Sequence, residues 1–163
     1  MKTLKIFLAL ILISAAAKAQ FTKAEVQVSG LTCSMCSKAT EKSLRTLGFI
    51  DDIKADLNRN VFVITFKKST QVDLSQISKK VQNAGFFVNN LKATVNFGNV
   101  KLNNNSFDYA GDTYHLVSGE NAALNGLVTV TVVDKGFAPP SVYKKYNAVV
   151  GSNATGRVYH IAI

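Results

Sequence analysis

The two cysteines of this chain lie two residues apart, in a segment that could bind a soft metal ion. Cys33 and Cys36 are the only cysteines among 163 residues and belong to Gly-Leu-Thr-Cys-Ser-Met-Cys over residues 30–36. An amphipathic pattern begins directly after them, which predicts that both thiols stand at the start of a helix. The positive end of a helix favours thiolate over thiol. Two such sulfurs on one loop suit either a soft metal ion or a reversible disulfide.

These two chemistries differ in how many ligands they need. Two thiolates satisfy a nearly linear ion such as copper(I), whereas a structural zinc site takes four ligands. The chain has no further cysteine, and neither His115 nor His160 is near the motif in sequence. Copper(I) bound by Cys33 and Cys36 is therefore the favoured hypothesis. The same spacing occurs in thiol–disulfide redox proteins, and this alternative stays open.

The first 19 residues have the pattern of a cleaved secretory signal peptide. A basic start precedes an apolar run over residues 6–13, and small residues lead to a predicted cleavage between Ala19 and Gln20. The run is shorter than the ~20 residues of a spanning helix, so no stable membrane anchor is expected. The pattern predicts export to an oxidising compartment, where the cysteine pair can form a disulfide.

The predicted mature chain is basic, mainly near the cysteines. Residues 20–97 hold eleven Lys and Arg against six Asp and Glu, whereas residues 98–163 hold five against four. Lys38, Lys42 and Arg45 recur on one side of the first predicted helix. They are either a solvated face or a docking patch for an acidic partner. The basic residues are not interleaved with aromatic residues, so nucleic acid is not an expected partner.

Residues 20–92 alternate between strand and helix patterns. Apolar and polar residues alternate over 24–29 and 53–57, and β-forming residues fill 61–66. Helical spacing covers 34–47 and the segment from the cap Asp73 to Gly85, and a last strand starts at Phe86 and continues to Leu91. This βαββαβ order predicts an α+β, ferredoxin-like sandwich.

The remaining residues, 93–163, read as a separate small all-β domain of unknown role. Strands are predicted over 94–102, 106–109, 113–117, 126–133, 141–146 and 157–163, separated by Asn, Gly and Pro clusters. No helix is expected here. Short strands separated by such turn residues predict a barrel or sandwich. About 70 residues is near the lower limit for an independent core, so docking on the first domain is also considered.

Residues 24–91 resemble a heavy-metal-associated domain, the module of copper chaperones, copper-pumping ATPases and the periplasmic mercury-binding protein. The family motif, Gly-Met-x-Cys-x-x-Cys between the first strand and the first helix, matches residues 30–36 with Leu31 at the usual Met position. Leu for Met is a mild exchange at a buried position. Gly85-Phe86 matches the glycine and aromatic residue that the family carries beneath the metal loop.

The resemblance implies a non-enzymatic metal carrier with Cys33 and Cys36 as ligands. It adds mercury(II), silver(I), zinc(II) and cadmium(II) as possible ions. It implies a metal transporter or metal-acceptor protein with an acidic docking surface as partner. Together with the signal peptide it implies a periplasmic location, with secretion from the cell as the alternative. A homodimer that shares one ion between four sulfurs is chemically reasonable. In a further hypothesis, the β-rich tail is a recognition module and the metal domain is its sensor.

Four other residues are weaker candidates. Met35 lies between the two thiols, but its position in the motif points outward; Thr32 is expected to tune the loop by hydrogen bonding near sulfur. His115 and His160 lie in strand-like segments, where a histidine is usually structural, and would form a second metal site only if they met on neighbouring strands. No catalytic triad, phosphate loop or paired carboxylates are found, so no enzyme is predicted.

Overall fold

The computed structural model describes residues 20–31, 33–98, 102–118, 124–146 and 157–163. The predicted signal peptide and Thr32 lie outside the described residues. In chain order the elements are β1 (Gln20–Ser29), α1 (Ser34–Leu44), β2 (Ile50–Asp56), β3 (Val61–Phe66), α2 (Leu74–Asn83), β4 (Phe87–Asn96), β5 (Ser106–Tyr109), β6 (Asp112–Leu116), β7 (Leu127–Val132), α3 (Pro140–Tyr146) and β8 (Val158–Ala162). The strands form one sheet in the order β2-β3-β1-β4-β7-β8-β6-β5.

The first six elements confirm the predicted α+β, ferredoxin-like fold. β1 is central and antiparallel to both β3 and β4, and β2 pairs with β3. Alternate residues of β1, from Ala24 to Val28, are buried beneath α1 and α2, whereas Glu25 and Gln27 lie on the more open face. Asp73 begins α2 by accepting the backbone N–H of Ser75 at 2.8 Å, which satisfies a free donor of the first turn.

The C-terminal strands form no barrel or sandwich of their own in the described residues, in contrast to the prediction. β7 instead pairs antiparallel with β4, from Leu91↔Val132 to Asn96↔Leu127. β4 runs through the Asn pair at 89–90, so the predicted boundary between residues 92 and 93 falls inside a strand. The outer edge of β4 has backbone groups that need partners, and β7 supplies them together with the buried Val130 and Val132.

The segment predicted as a strand over 141–146 is a helix, so the expectation of no helix after residue 93 was wrong. Pro140 is the first residue of α3, where its fixed φ suits a helix and its missing N–H costs nothing. Lys144 and Lys145 lie in the last turn, which the helix dipole favours. The Val and Tyr residues of this segment suggested a strand, but the proline start determines its conformation.

The C-terminal region shares its core with the first domain. Phe21 of β1 packs against Tyr109 and Tyr114, with ring centroids 4.9 and 5.4 Å away. Tyr114 in turn stacks on Phe107 and Tyr159 at 5.1 and 4.9 Å. We call these five residues the aromatic cluster. Because Phe21 belongs to β1 and the other four to β5, β6 and β8, the cluster joins the two regions into one core.

Three hydrogen bonds also attach this region to the segments around α2. The Tyr109 hydroxyl donates to the carbonyl of Thr70 at 3.2 Å and accepts the N–H of Val72 at 3.1 Å. Ser78 of α2 donates its hydroxyl to the carbonyl of Gly136 at 2.7 Å. These hydrogen bonds therefore attach α2, and the segment that precedes it, to the C-terminal region.

Candidate metal centre

The loop between β1 and α1 presents the two cysteines at the surface. β1 ends at Ser29, and Gly30 adopts φ +87°, a conformation that favours glycine. The side chain of Leu31 is buried in the core and anchors the loop. Cys33 then occupies the N-cap of α1 in an extended conformation. The sequence-based prediction placed the thiols at the start of a helix, and the structure has them there.

The two sulfurs lie close together. Cys33 Sγ is 2.7 Å from Cys36 Sγ and accepts the backbone N–H of Cys36 at 3.2 Å. Both cysteines are free thiols, Cys33 exposed and Cys36 half-buried against the core. The pair therefore combines one solvent-accessible sulfur, that of Cys33, with one that packs partly against the core, that of Cys36.

Hydrogen bonding shifts the pKa values of the two thiols in opposite directions. The hydrogen bond shared with the Cys36 thiol and the bond from the backbone N–H of Cys36 lower the pKa of Cys33 below that of an ordinary thiol. The same hydrogen bond to Cys33, and then burial, raise the pKa of Cys36. α1 has no acidic residue in its first turn to offset the positive end of its dipole. Cys33 is thus the member of the pair that ionises more readily.

Binding a linear ion requires a change at this site. Metal–thiolate bonds of about 2.3 Å place the two sulfurs of a linear site roughly 4.6 Å apart. The observed separation is 2.7 Å. Since Cys33 is exposed, rotation of its side chain can open the gap without disturbing the core.

Phe86 supports the loop from below, as expected for Gly85-Phe86. A Cβ atom at Gly30 would lie 3.5 Å from the Phe86 ring, so the ring lies against the loop backbone. Gly85 has φ +89° and ends the turn after α2, which directs Phe86 toward the loop. The half-buried ring packs on the main core.

The other sequence candidates do not join the cysteines. Met35 is 77% exposed. His115 and His160 lie on β6 and β8, which β4 and β7 separate from β1 in the sheet. Within the described ranges, no group of three or more His, Cys, Asp or Glu side chains is placed to bind a metal. In the loop between β1 and α1, the structure provides two sulfur ligands, those of Cys33 and Cys36.

The predicted basic patch on α1 consists of exposed side chains, one of which is also held by neighbouring groups. Arg45 bonds to Glu41 at 2.7 Å and to the carbonyl of Ile53 at 2.9 Å, so this side chain ties α1 to β2. Lys38 and Lys42 are exposed on the same helix as the cysteines. All three side chains of the predicted patch are therefore at the surface.

A cleft beside the base of the loop was not predicted. It has a volume of about 360 Å³ and is lined by Ser29 and Phe87 on one side and by Gly136, Pro139 and Tyr143 on the other. Phe87 is 69% exposed. Only the pairing of β7 with β4 brings the segment after β7 to this place, so no local sequence signal could have revealed it.

The comparisons with known proteins match the first domain. A family model described as "heavy-metal-associated domain" matches residues 25–87. Among solved structures, the CopZ metallochaperone is 21% identical, with 41% of this chain and 98% of that chain covered and a TM-score of 0.38. The N-terminal domain of ZntA is 20% identical (42% and 90% covered, TM-score 0.37), and a copper transporter domain from yeast is 24% identical (41% and 90% covered, TM-score 0.37).

No curated protein sequence matches the chain. The family match ends at residue 87 and leaves the C-terminal strands without a recognised relationship. Within the described residues, no helix is both long and apolar enough to span a membrane.

Proposed function

We propose that the protein is an exported, non-catalytic copper(I) carrier, on the basis that residues 25–87 match the model of the heavy-metal-associated domain. Cys33 and Cys36 hold the ion, and an acceptor takes it by ligand exchange. The ion passes from one pair of sulfurs to another, and its oxidation state does not change. The partner is a metal transporter or a metal-acceptor protein.

The observation that carries this proposal is the pairing of one exposed cysteine, Cys33, with one half-buried cysteine, Cys36, at a helix start. Cys33 has the lowered pKa and the open position, so it binds an arriving ion first. Cys36 loses its proton to solvent as the second bond forms. A two-coordinate site leaves room for an incoming sulfur, which is what transfer by exchange requires.

The location of Lys38 and Lys42 supports an acidic partner. Both lie on α1, within two turns of Cys36, and both are exposed. A positive surface next to the metal loop increases the rate of encounter with a negatively charged docking surface. Replacing both lysines with glutamate should therefore slow copper transfer to an acidic acceptor at low salt and leave copper binding unchanged.

A titration of the reduced protein tests the proposal. Anaerobic mature protein should take up one copper(I) per chain in competition with a chromogenic chelator. Cys33→Ser and Cys36→Ser should each abolish this binding, whereas the exposed Met35→Ala should retain it. If both serine variants bind copper(I) as the parent does, the proposed site is wrong. Sedimentation of the loaded protein also reports whether two chains share one ion.

The 2.7 Å sulfur separation supports a second candidate, a thiol–disulfide protein. A thiol of lowered pKa next to a second thiol is the arrangement that attacks a disulfide. In that reaction the Cys33 thiolate breaks the substrate disulfide, forms a mixed disulfide and releases one substrate thiolate. Cys36 then loses its proton to solvent and attacks Cys33 Sγ, which releases the second substrate thiolate, so the cysteine pair is oxidised to a disulfide and the substrate is reduced to two thiols. Catalysed reduction of a disulfide peptide without uptake of copper(I) would favour this candidate.

Export is tested separately from metal binding. We expect the protein in the periplasmic fraction of its native cell, with Gln20 as the first residue of the mature chain. Protein that retains Met1 in the cytoplasm would contradict this part of the proposal.

A further inference from the structure

His115 and His160 meet on neighbouring strands, far from the cysteine loop. β6 and β8 are parallel, and the two histidines are register partners. Their ring centroids are 6.4 Å apart, and the rings are nearly perpendicular, at 81°. The histidines are 45 residues apart in sequence, so only this pairing brings them together.

Each ring has its Nδ1 atom engaged by an orienting oxygen. His160 Nδ1 lies 2.5 Å from Asp134 Oδ1, and the backbone N–H of His160 donates to Asp134 Oδ2 at 2.6 Å. His115 Nδ1 lies 2.9 Å from Ser106 Oγ. The Ser106 hydroxyl donates to the carbonyl of Asn104 at 3.3 Å, so its oxygen is free to accept from His115.

These contacts leave the Nε2 lone pair of each ring available. A carboxylate at Nδ1 requires a proton there, and a neutral imidazole then has an acceptor at Nε2. His160 is 8% exposed, and its Nε2 is a buried atom without a hydrogen-bond partner among the described residues. A buried polar atom in this condition costs free energy unless a ligand satisfies it.

We infer that His115 and His160 bind a divalent transition-metal ion, copper(II) or zinc(II), through their Nε2 atoms. With metal–nitrogen bonds of about 2.0 Å, two rings that share one ion have centroids roughly 5 to 6.5 Å apart. The observed 6.4 Å lies within this range. His115 is half-buried and more exposed than His160, so an ion enters from the His115 side, and water completes the coordination.

Asp134 acts as a positioning residue in this site. A carboxylate that accepts from the Nδ1–H of a ligating histidine fixes its tautomer and orientation and raises its basicity. The site is separate from the cysteine pair and differs from it in chemistry. Imidazole suits copper(II) and zinc(II), whereas thiolates suit copper(I), and copper(II) should bind the more tightly of the two divalent ions.

The test uses the full mature chain with Cys33→Ser and Cys36→Ser and without a histidine tag. Because this protein lacks thiols, its result is independent of the proposed copper(I) function. Copper(II) should bind at one ion per chain, with nitrogen hyperfine structure in its electron paramagnetic resonance spectrum. Zinc(II) should compete for the same site.

Variants in this background identify the ligands. His115→Gln and His160→Gln should each weaken copper(II) binding at least tenfold and reduce the nitrogen hyperfine pattern. Asp134→Asn should weaken binding by about tenfold or more. Asp51→Asn, which removes one exposed carboxylate on β2, is the matched control and should bind as the parent does.

Two results would overturn the inference. One is a folded, thiol-free protein that binds neither ion at micromolar concentrations. The other is binding that persists unchanged in the His115→Gln variant. Circular dichroism checks the fold of every variant. If His160→Gln fails to fold, the half-buried His115 still decides the question.

Discussion

The Sγ atoms of Cys33 and Cys36 lie 2.7 Å apart and share a hydrogen bond. This bond, with the Cys36 backbone N–H, lowers the pKa of Cys33, while the pKa of Cys36 is raised. We predict that iodoacetamide alkylates Cys33 before Cys36 at neutral pH, because the thiolate is the reactive form. Peptide mass spectrometry over a pH series measures both rates. In Cys36→Ser, the pH dependence of the Cys33 alkylation rate should change. Equal alkylation rates of Cys33 and Cys36 in the parent protein would contradict the lowered pKa of Cys33.

Leu31 gives a prediction for the base of the loop. It is buried where the family has Met. Leu31→Met should change the free energy of unfolding by less than about 1.5 kcal/mol, because the two side chains have similar volumes. Leu31→Ala should cost roughly 2 to 5 kcal/mol through the cavity it leaves. Urea unfolding measures both, and an alanine variant as stable as the parent would show that the loop is not anchored here.

The aromatic cluster predicts that the two regions unfold together. Tyr114 is 1% exposed and contacts Phe21 of β1. Tyr114→Ala should lower the free energy of unfolding by about 3 to 5 kcal/mol, the cost of a large cavity. All five tyrosines lie beyond residue 108, and the chain has no tryptophan, so tyrosine fluorescence reports the C-terminal region. Its urea transition should coincide with that of far-ultraviolet circular dichroism; two separate transitions would contradict a shared core.

The start of α2 depends on one carboxylate. Asp73 Oδ1 accepts the N–H of Ser75 at 2.8 Å and of Gln76 at 3.4 Å. Asp73→Ala should reduce stability by about 1 kcal/mol, since these donors lose their partner. Asp73→Asn keeps the acceptor and is the control. Thermal unfolding compares the three proteins, and an equal loss in both variants would mean that charge rather than capping is responsible.

His115 should make stability depend on pH. Partial burial, and then the neighbouring His160, lower the pKa of His115 below its ordinary value. The unfolded chain then takes up this proton at a higher pH than the folded one. The contribution of His115 to the free energy of unfolding is present in full above a pH of about 6.5. It is lost as the pH falls through the lower pKa that His115 has in the folded protein. Urea unfolding of metal-free parent and His115→Gln between pH 5 and 8 should show a difference that shrinks toward acid.

The first domain could be predicted from local patterns because each of its signals is local. The β-forming run at Val61–Phe66 is β3 with the same bounds. The cap Asp73 and the position of Cys33 before α1 also agree with the structure. In these segments, side-chain periodicity and capping determine the conformation without help from distant residues.

The C-terminal architecture depends on pairings between distant residues. The predicted last strand of the first domain ended at Leu91, but β1 and β7 on either side keep β4 extended through Asn96. The contact between His115 and His160 follows from the parallel register of β6 and β8. No short-range pattern encodes which strands are neighbours or in which register they pair. The sequence could therefore predict a site at His115 and His160 only for the case that their strands are neighbours.

The pairing of β4 with β7 has a consequence for behaviour at high concentration. A ten-residue edge strand would be a template for intermolecular pairing and fibril growth. Here the sheet ends instead at β5, which has four residues, and at β2, which contains Asp51, Asp52 and Lys54. Cutting the chain after residue 98 would uncover that long edge and make the shortened protein prone to self-association.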